Sequence, residues 1–269
     1  MKFSIVVPFY NSSQYLDRLF ITLQDYFDKD CEIIIIDDCS HQNHYDLLCK
    51  YVSNIPASNL MIIRNVVNCG AAFSRQVGVE AASGDLIAFL DSDDGWGRDR
   101  LFVLYDIMTR HNIDILGGKV QQINSDNFIE LRKKEYLLNN ICEVSFSKFL
   151  FKNYYATSSV VVKKNVFLAH NFNTHMRYSE DYECWRRIVF SNNSYYSEFS
   201  NVYCFKHVYL SGSSQSLSSS LWKMSKSEIM GLYLIFFNKS IPFSLKIIVP
   251  LGIIFSFFKA VIRFIRAKF

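Results

Sequence analysis

The sequence predicts an α/β fold: an open, mostly parallel sheet with helices on both faces, followed by a helical C-terminal extension. Three observations predict it. Short apolar runs alternate with helically spaced segments through the first 120 residues, the repetition that a wound sheet requires. A polar residue follows each apolar run directly, at the strand ends where such sheets hold their ligands. From about Leu221 the chain changes character and becomes apolar and basic.

Phe3 to Val7 is an apolar run that Pro8, with no N–H to give a ladder, is expected to stop. Tyr15, Leu16, Leu19, Phe20, Leu23 and Phe27 recur at helical spacing. A helix is therefore expected from Ser12 to about Phe27, with Asn11 or Ser12 as its N-cap. Glu32 to Ile36 reads as a strand buried on both faces that ends at Asp37. A weaker helix over about Gln42 to Val52 leads to a third strand at Leu60 to Ile63. Ala71 to Ala82 is helical and rich in small residues, which permit close packing on a sheet. Leu86 to Leu90 is the fourth strand, followed by Asp91-Ser92-Asp93-Asp94 and a helix near Arg98 to His111. Ile113 to Leu116 begins a fifth strand. Beyond it the pattern is less regular: Thr157 to Val162 reads as a strand, Glu180 to Phe190 as a helix and Tyr195 to Phe205 as one or two more strands. Residues 1–210 then form one α/β domain, 211–220 a Ser-rich linker and 221–269 the extension.

The 269 residues carry 29 Lys and Arg against 25 Asp and Glu, and this balance is uneven along the chain. No acid follows Glu228, whereas Lys239, Lys246, Lys259, Arg263, Arg266 and Lys268 do. The body to residue 228 is therefore close to neutral. A nucleic-acid binder would spread its basic residues over the folded body. Here they alternate with Ile, Phe and Val, which points to a lipid surface. Seven cysteines form an odd set with no CxxC pair, and free thiols in a reducing cytoplasm are expected. The apolar run at the N-terminus is too short for a signal-peptide core.

Three segments carry chemistry. Asp91, Asp93 and Asp94 crowd three carboxylates at the end of a buried strand. A divalent cation would relieve their repulsion, hard oxygens suit Mg2+ or Mn2+, and the alternative is an acidic turn capping the next helix. Asp37, Asp38 and Ser40 follow the second strand. The acids could bind a base amide or a ribose hydroxyl, or Ser40 could cap the following helix. Glu180 and Asp181 precede Trp185 on a helix. They could supply a general base in an apolar wall that raises its pKa, or simply suit a helix N-terminus.

Taken in order, VVPFYN (Val6 to Asn11), IIDDCS (Ile35 to Ser40), NCGAAFSRQ (Asn68 to Gln76), ASGDLIAFLDSDD (Ala82 to Asp94) and SEDYECW (Ser179 to Trp185) resemble the family 2 inverting glycosyltransferases of bacterial surface-polysaccharide assembly. The resemblance implies a GT-A fold, a Rossmann-like open mixed sheet. It implies transfer of a single hexosyl or N-acetylhexosaminyl unit from a nucleotide diphosphate donor, by default a UDP-sugar, to a saccharide hydroxyl. Carried over by position, it puts Pro8, Tyr10 and Asp38 in the base pocket and Asn68, Gly70 and Arg75 near base, ribose and diphosphate. Asp91 and Ser92 would also contact the nucleotide sugar, Asp93 and Asp94 would hold Mn2+ or Mg2+, and Asp181 would be the general base with Glu180 beside it. Phe205-Lys206-His207 only approximates the family's Arg-x-His element, leaving His207 either a ligand or a surface histidine. The QxxRW element of processive synthases is absent, which implies a single addition. The readings that compete with transfer are a catalytically silent nucleotide-sugar-binding or scaffold protein of the same fold, and a nucleotidyltransferase. The second would need a glycine- and basic-rich loop near the first strand, which VVPFYNSS lacks.

In the extension, Ile247 to Phe258 is uncharged over twelve residues, short of the roughly 20 that span a bilayer. Lys259, Arg263 and Arg266 then fall on one helical face, with Ile262, Phe264 and Ile265 available to the other. The expectation is an interfacial helix on anionic lipid at the cytoplasmic face of the membrane, beside a lipid-linked acceptor. A helix packed on the protein's own body and a spanning helix extended by snorkelling Lys246 and Lys259 are the alternatives. Pro250 and Gly252 are expected to break or kink any helix through them.

Overall fold

A computed structural model describes residues 2–123, 127–133, 141–198, 201–205, 221–239 and 241–268. Its strands are β1 (Phe3–Phe9), β2 (Cys31–Asp37), β3 (Leu60–Arg64), β4 (Leu86–Phe89), β5 (Asp94–Trp96), β6 (Ile115–Gly118), β7 (Gln121–Ile123), β8 (Ile141–Glu143), β9 (Val161–Lys163), β10 (Ser194–Ser197) and β11 (Val202–Phe205). Its helices are α1 (Leu16–Leu23), α2 (Gln42–Ser53), α3 (Ala71–Ala81), α4 (Arg100–Arg110), α5 (Phe128–Leu131), α6 (Phe146–Phe151), α7 (Lys164–His170), α8 (Glu180–Ser191), α9 (Leu221–Phe237), α10 (Phe243–Lys246) and α11 (Val249–Lys268).

Eight strands form one mixed sheet in the order β3-β2-β1-β4-β9-β6-β10-β8, and β5, β11 and β7 form a second, small sheet. The β3-β2-β1-β4 half is parallel, as the alternating pattern predicts. Successive strand side chains point to opposite faces, so Val6, Ile34 and Phe89 enter one apolar cluster and Ile5, Val7, Ile33 and Ile35 the other. α3 lies hard against this half. A Cβ at Gly78 would come within 2.5 Å of Val6 and 2.6 Å of Ile36, so glycine there lets the helix approach β1 and β2 closely and fixes where its N-terminus points.

Several expectations are corrected. β1 does not stop at Pro8 but runs through it, pairing Pro8 with Ile36. The β1–β4 ladder has already ended at Val6 and Phe89, so no partner on that side needs an N–H from Pro8. The expected Ser12–Phe27 helix is two 3-10 turns, Ser13–Tyr15 and Gln24–Tyr26, flanking the eight residues of α1. Neither Asn11 nor Ser12 caps it. Ser12 Oγ donates to the carbonyl of Tyr10, and Asn11 Oδ1 accepts from the amide of His41, which ties the loop after β1 to the loop after β2. Thr157–Ser159 is a 3-10 turn rather than strand, and β9 begins only at Val161 and runs antiparallel to β4 and β6. The strand β5 was not anticipated.

In the extension, Pro250 does not break α11. It occupies the second position of that helix, within the first turn, where no intrahelical partner awaits its missing N–H. Gly252 lies inside the same helix, buried against α9. α9 and α11 pack together as a hairpin, and α9 also rests on α8. The inward face of α11 is Val249, Gly252, Ser256 and Ala260, a small-residue stripe at helical spacing. The outward face exposes Leu251, Ile254, Phe257, Phe258, Val261 and Ile262. The stretch Phe243–Ile262 is 20 residues of mean hydropathy 2.1, long and apolar enough by length and composition to cross a membrane, longer than the twelve uncharged residues suggested. Lys259, expected to face lipid, turns inward to the buried carboxylate of Glu228. The expected linker, 211–220, lies outside the described residues, as does His207.

Candidate active site

The parallel strands bring their carboxyl ends to one rim, and the residues singled out above follow those ends. On the β2–β3 side, Asp37 is fully buried and pairs with Arg64 at 3.1 Å. Asp38, also buried, has its carboxylate bound by the loop that leads into α3. Oδ1 accepts from Asn65 Nδ2 at 2.8 Å and from the amide of Cys69 at 3.0 Å, and Oδ2 accepts from the amide of Gly70 at 2.7 Å. Asn68 Nδ2 donates to the Asp38 carbonyl. Asp38 thus shapes the wall of the rim through the 65–70 backbone. Gly70 closes that loop at φ +88, a left-handed value that a Cβ would strain. Ser40 does not cap α2; its hydroxyl accepts from the amide of Asn11. Pro8 is half-buried and Tyr10 exposed beside this loop.

At the centre stands Arg75, projected from α3 and buried. Its guanidinium is 2.5 Å from Asp91 Oδ1 at the end of β4 and 3.7 Å from Glu180 Oε1 at the start of α8. Asp181 accepts from the hydroxyl of Thr157 at 3.1 Å and from the amide of Tyr182 at 2.7 Å. Burial, followed by the adjacent charge of Asp181, pushes the Glu180 carboxyl up to about 7 against the pull of Arg75. Burial likewise raises Asp181. Proton affinities raised in this way suit a group that must take a proton near neutral pH. Asp91, Arg75, Glu180 and Asp181 therefore form one charged array.

The Asp91–Asp94 turn divides its labour. Ser92 is buried and Asp93 half-buried, with the Asp93 carbonyl accepting from Arg18 at 2.8 Å. Asp94 is buried, and both its oxygens are engaged, by Ser158 Oγ at 2.5 Å and Cys204 Sγ at 2.8 Å. Burial, then the charges of Asp91 and Asp93, raises its carboxyl to about 7. Asp94, expected to help hold a cation, thus also ties the turn to the body of the protein through Ser158 and Cys204. Among the described residues no three His, Cys, Asp or Glu side chains converge as a complete cation site. The Asp91–Asp94 turn offers hard carboxylate oxygens, with Asp91 Oδ1 also paired to Arg75. One or two carboxylates completed by substrate phosphates is the usual way Mg2+ is held, so the turn suits such an ion.

Sequence reading missed several contributors. Ser158 donates to Asp94 and accepts from the Asp91 amide, while its own carbonyl accepts from the Trp96 indole at 2.8 Å. Thr157 holds Asp181. Arg18 lies over the Phe205 ring at 3.5 Å. None has a local motif; each is recognisable only from what it meets across the fold.

The fold is GT-A: 96% of the chain superposes on 73% of Staphylococcus aureus TarS 1–349 in complex with UDP-GlcNAc, with TM-score 0.72 and 20% identity. A mannosyltransferase from Pyrobaculum calidifontis, in complex with GDP-Man and Mn2+, matches 95% of the chain with TM-score 0.67 and 14% identity. The Glycosyl transferase family 2 profile matches residues 4–184, and the chain belongs to that family. Among relatives, a Bacillus spizizenii poly(ribitol-phosphate) beta-glucosyltransferase is 31% identical over 72% of this chain and 30% of its own length. TarS, a poly(ribitol-phosphate) beta-N-acetylglucosaminyltransferase, is 32% identical over 46% of this chain and 22% of its own. The matched region is thus less than a third of either relative. The Escherichia coli UDP-Glc:alpha-D-GlcNAc-diphosphoundecaprenol beta-1,3-glucosyltransferase WfgD is 25% identical over 71% of this chain and 70% of its own length.

Proposed function

We propose that the protein is an inverting glycosyltransferase that moves one sugar, from a UDP-sugar, to a hydroxyl of a saccharide acceptor in surface-polysaccharide assembly. The observation that carries this reading is the Arg75 array, which joins the β4-end carboxylate Asp91 to the α8 carboxylates Glu180 and Asp181. Tyr10 and the Asp38-bound loop would receive the nucleotide. Asp181, steadied by Thr157, takes the proton of the acceptor hydroxyl as that oxygen attacks the sugar C1 from the face opposite the diphosphate. One displacement of this kind inverts the anomeric centre. Arg75 holds Asp91 and Glu180 in register and keeps Glu180 from crowding the base. Mn2+ or Mg2+, which Asp93 and Asp94 would hold, would supply positive charge to the departing diphosphate.

A lipid-linked acceptor is supported by the likeness to WfgD and by the extension. The exposed apolar face of α11, rimmed by a basic and acid-free stretch, suits the anionic inner leaflet of the membrane, with the helix lying along it while its other face packs on α9. The decisive experiment incubates the purified chain with UDP-glucose, UDP-GlcNAc or GDP-mannose, with Mn2+ or with EDTA, and reads the nucleotide released. Metal-dependent release of nucleoside diphosphate is expected. Pyrophosphate release, or no release from any donor, would overturn the reading. For the membrane part, the full chain should sediment with phosphatidylglycerol vesicles, and Leu251→Glu with Phe258→Glu should remove that binding. Undiminished sedimentation of the double variant would count against it.

A further inference from the structure

Beyond the charged array, the same rim carries a cavity of about 590 Å³ to which no role has yet been given, within the roughly 300–1,000 Å³ typical of ligand sites. It opens where β6 and β10 end side by side, Gly118 opposite Ser197. Both β4 and β6 run antiparallel to β9, so the end of β6 lies on the same rim as Asp91. From β2 across β1, β4 and β9 to β6, the rim therefore presents the Asp38 loop, then Asp91, then the Thr157–Ser159 turn, then this cavity.

The wall of the cavity is continuous with the base. Ala156 lines it, and the next residue, Thr157, donates to Asp181 at 3.1 Å. A chain of rings runs the same way. Tyr196 meets Tyr154 edge-on at 5.6 Å, Tyr154 meets Phe149 at 6.0 Å, and Phe149 meets Tyr182, the residue after Asp181, at 5.5 Å. Polar groups also line it, among them Lys152, with its ammonium 4.9 Å from the centre of the Tyr154 ring, Asn153 and Glu198.

Aromatic faces interleaved with amide, ammonium and carboxylate groups suit a ligand that has apolar C–H faces and a rim of hydroxyls, which describes a pyranose. The donor's nucleotide is placed on the other side of Asp91, by the Asp38 loop. We propose that this cavity is an acceptor subsite that binds the saccharide unit next to the one whose hydroxyl is glycosylated, so that the enzyme reads an acceptor at least two sugars long. The proposal rests on the transferase reading above.

The test has two arms. In the first, saturation-transfer NMR on the full chain without donor compares N-acetylglucosamine with N,N′-diacetylchitobiose and glucose with cellobiose. At least one disaccharide should bind about three- to tenfold more strongly than its monosaccharide, the gain of one or two ring contacts. Tyr196→Ala should bring the two level, and Lys152→Ala, at an exposed residue whose loss removes no core packing, should cut the advantage by about half in free energy. No contact from either disaccharide, or an advantage undiminished in both variants, overturns the subsite. The second arm measures the ratio of kcat/KM for disaccharide and monosaccharide acceptors with the donor that turns over. That ratio should fall towards one in Tyr196→Ala, and an equal loss on both acceptors overturns the proposal. Failure of every donor to release nucleoside diphosphate sinks the transferase reading instead, and the NMR arm still decides the subsite.

Discussion

The two halves of the proposed catalytic rim are held in different ways. On the donor side, the carboxylate of Asp38 closes a loop about thirty residues further on through backbone amides of Cys69 and Gly70. On the base side, the residues just before Glu180 and Asp181 are held from the far end of the chain. Ser227 Oγ donates to the Tyr178 carbonyl, and Ser179 Oγ donates to the Met224 carbonyl at 3.4 Å. One helical turn further along α8, the fully buried Arg186 lies 4.0 Å from Glu228 Oε1, and the same carboxylate receives Ser256 Oγ and Lys259 Nζ. On the proposed reading, a base on a helix secured by α9 is positioned by the extension, and the hairpin would serve the site as well as the membrane.

The largest effect is expected at the base itself. Asp181→Asn should lower kcat about 10²- to 10⁴-fold, the usual worth of a general base, while the melting temperature holds, since the change removes a buried charge. Normal turnover in that variant would break the assignment. Next is Glu228→Ala, far from any substrate. It removes the carboxylate that faces the buried Arg186 and Lys259, and about 3–5 kcal/mol is typical for breaking a buried ion pair. A chemical denaturation midpoint close to that of the unaltered chain would show that the hairpin is only loosely attached. On the donor side, Asp38→Asn leaves two amide N–H groups facing an –NH2 or a single oxygen, at about 1–3 kcal/mol. It should raise the donor KM with kcat largely kept, and a fall in kcat alone would erase the distinction between the halves.

The same distinction decides what could be read from sequence. The order of strands, polar strand ends and following helices in the first half is local, so the sequence pattern points to Asp38 and Asp91 and the resemblance adds Gly70 and Arg75, all of which the fold places along one rim. The inward turn of Asp94 was not legible, because Ser158 and Cys204 lie 64 and 110 residues away. Arg18 carries no local signal for its contacts with the Asp93 carbonyl and the Phe205 ring, 75 and 187 residues further on. Lys259 looked like part of a basic lipid-facing stripe until Glu228, 31 residues earlier, was placed beneath it. Pro250 misled for a related reason: its cost depends on where the helix starts, and that is set by packing on α9. Local periodicity reports strands, helices and their ends; the partners of buried charges are a tertiary fact.

The smallest effect sharpens the comparison through pH. Glu180 and Asp181 lie half-buried side by side, and desolvation followed by the adjacent charge lifts Glu180 to about 7, with Asp181 raised in the same direction. Such a pair titrates as a unit. A raised carboxyl pKa means that the pair keeps a proton at pH values where an ordinary carboxylate has lost it. Because the base must be unprotonated, kcat/KM should fall on the acid side at pH values above those at which an ordinary carboxylate titrates, by about tenfold per unit at the limit, or roughly 1.4 kcal/mol. Glu180→Gln removes the like charge, so Asp181 should lose its proton more readily and the acid limb should move to lower pH. Asp38→Asn touches neither carboxylate and should leave the limb in place. A limb in the unaltered enzyme that lies below pH 5, or one that moves with Asp38 but not with Glu180, would mean that the proton is taken elsewhere on the rim and that α8 does not carry the base.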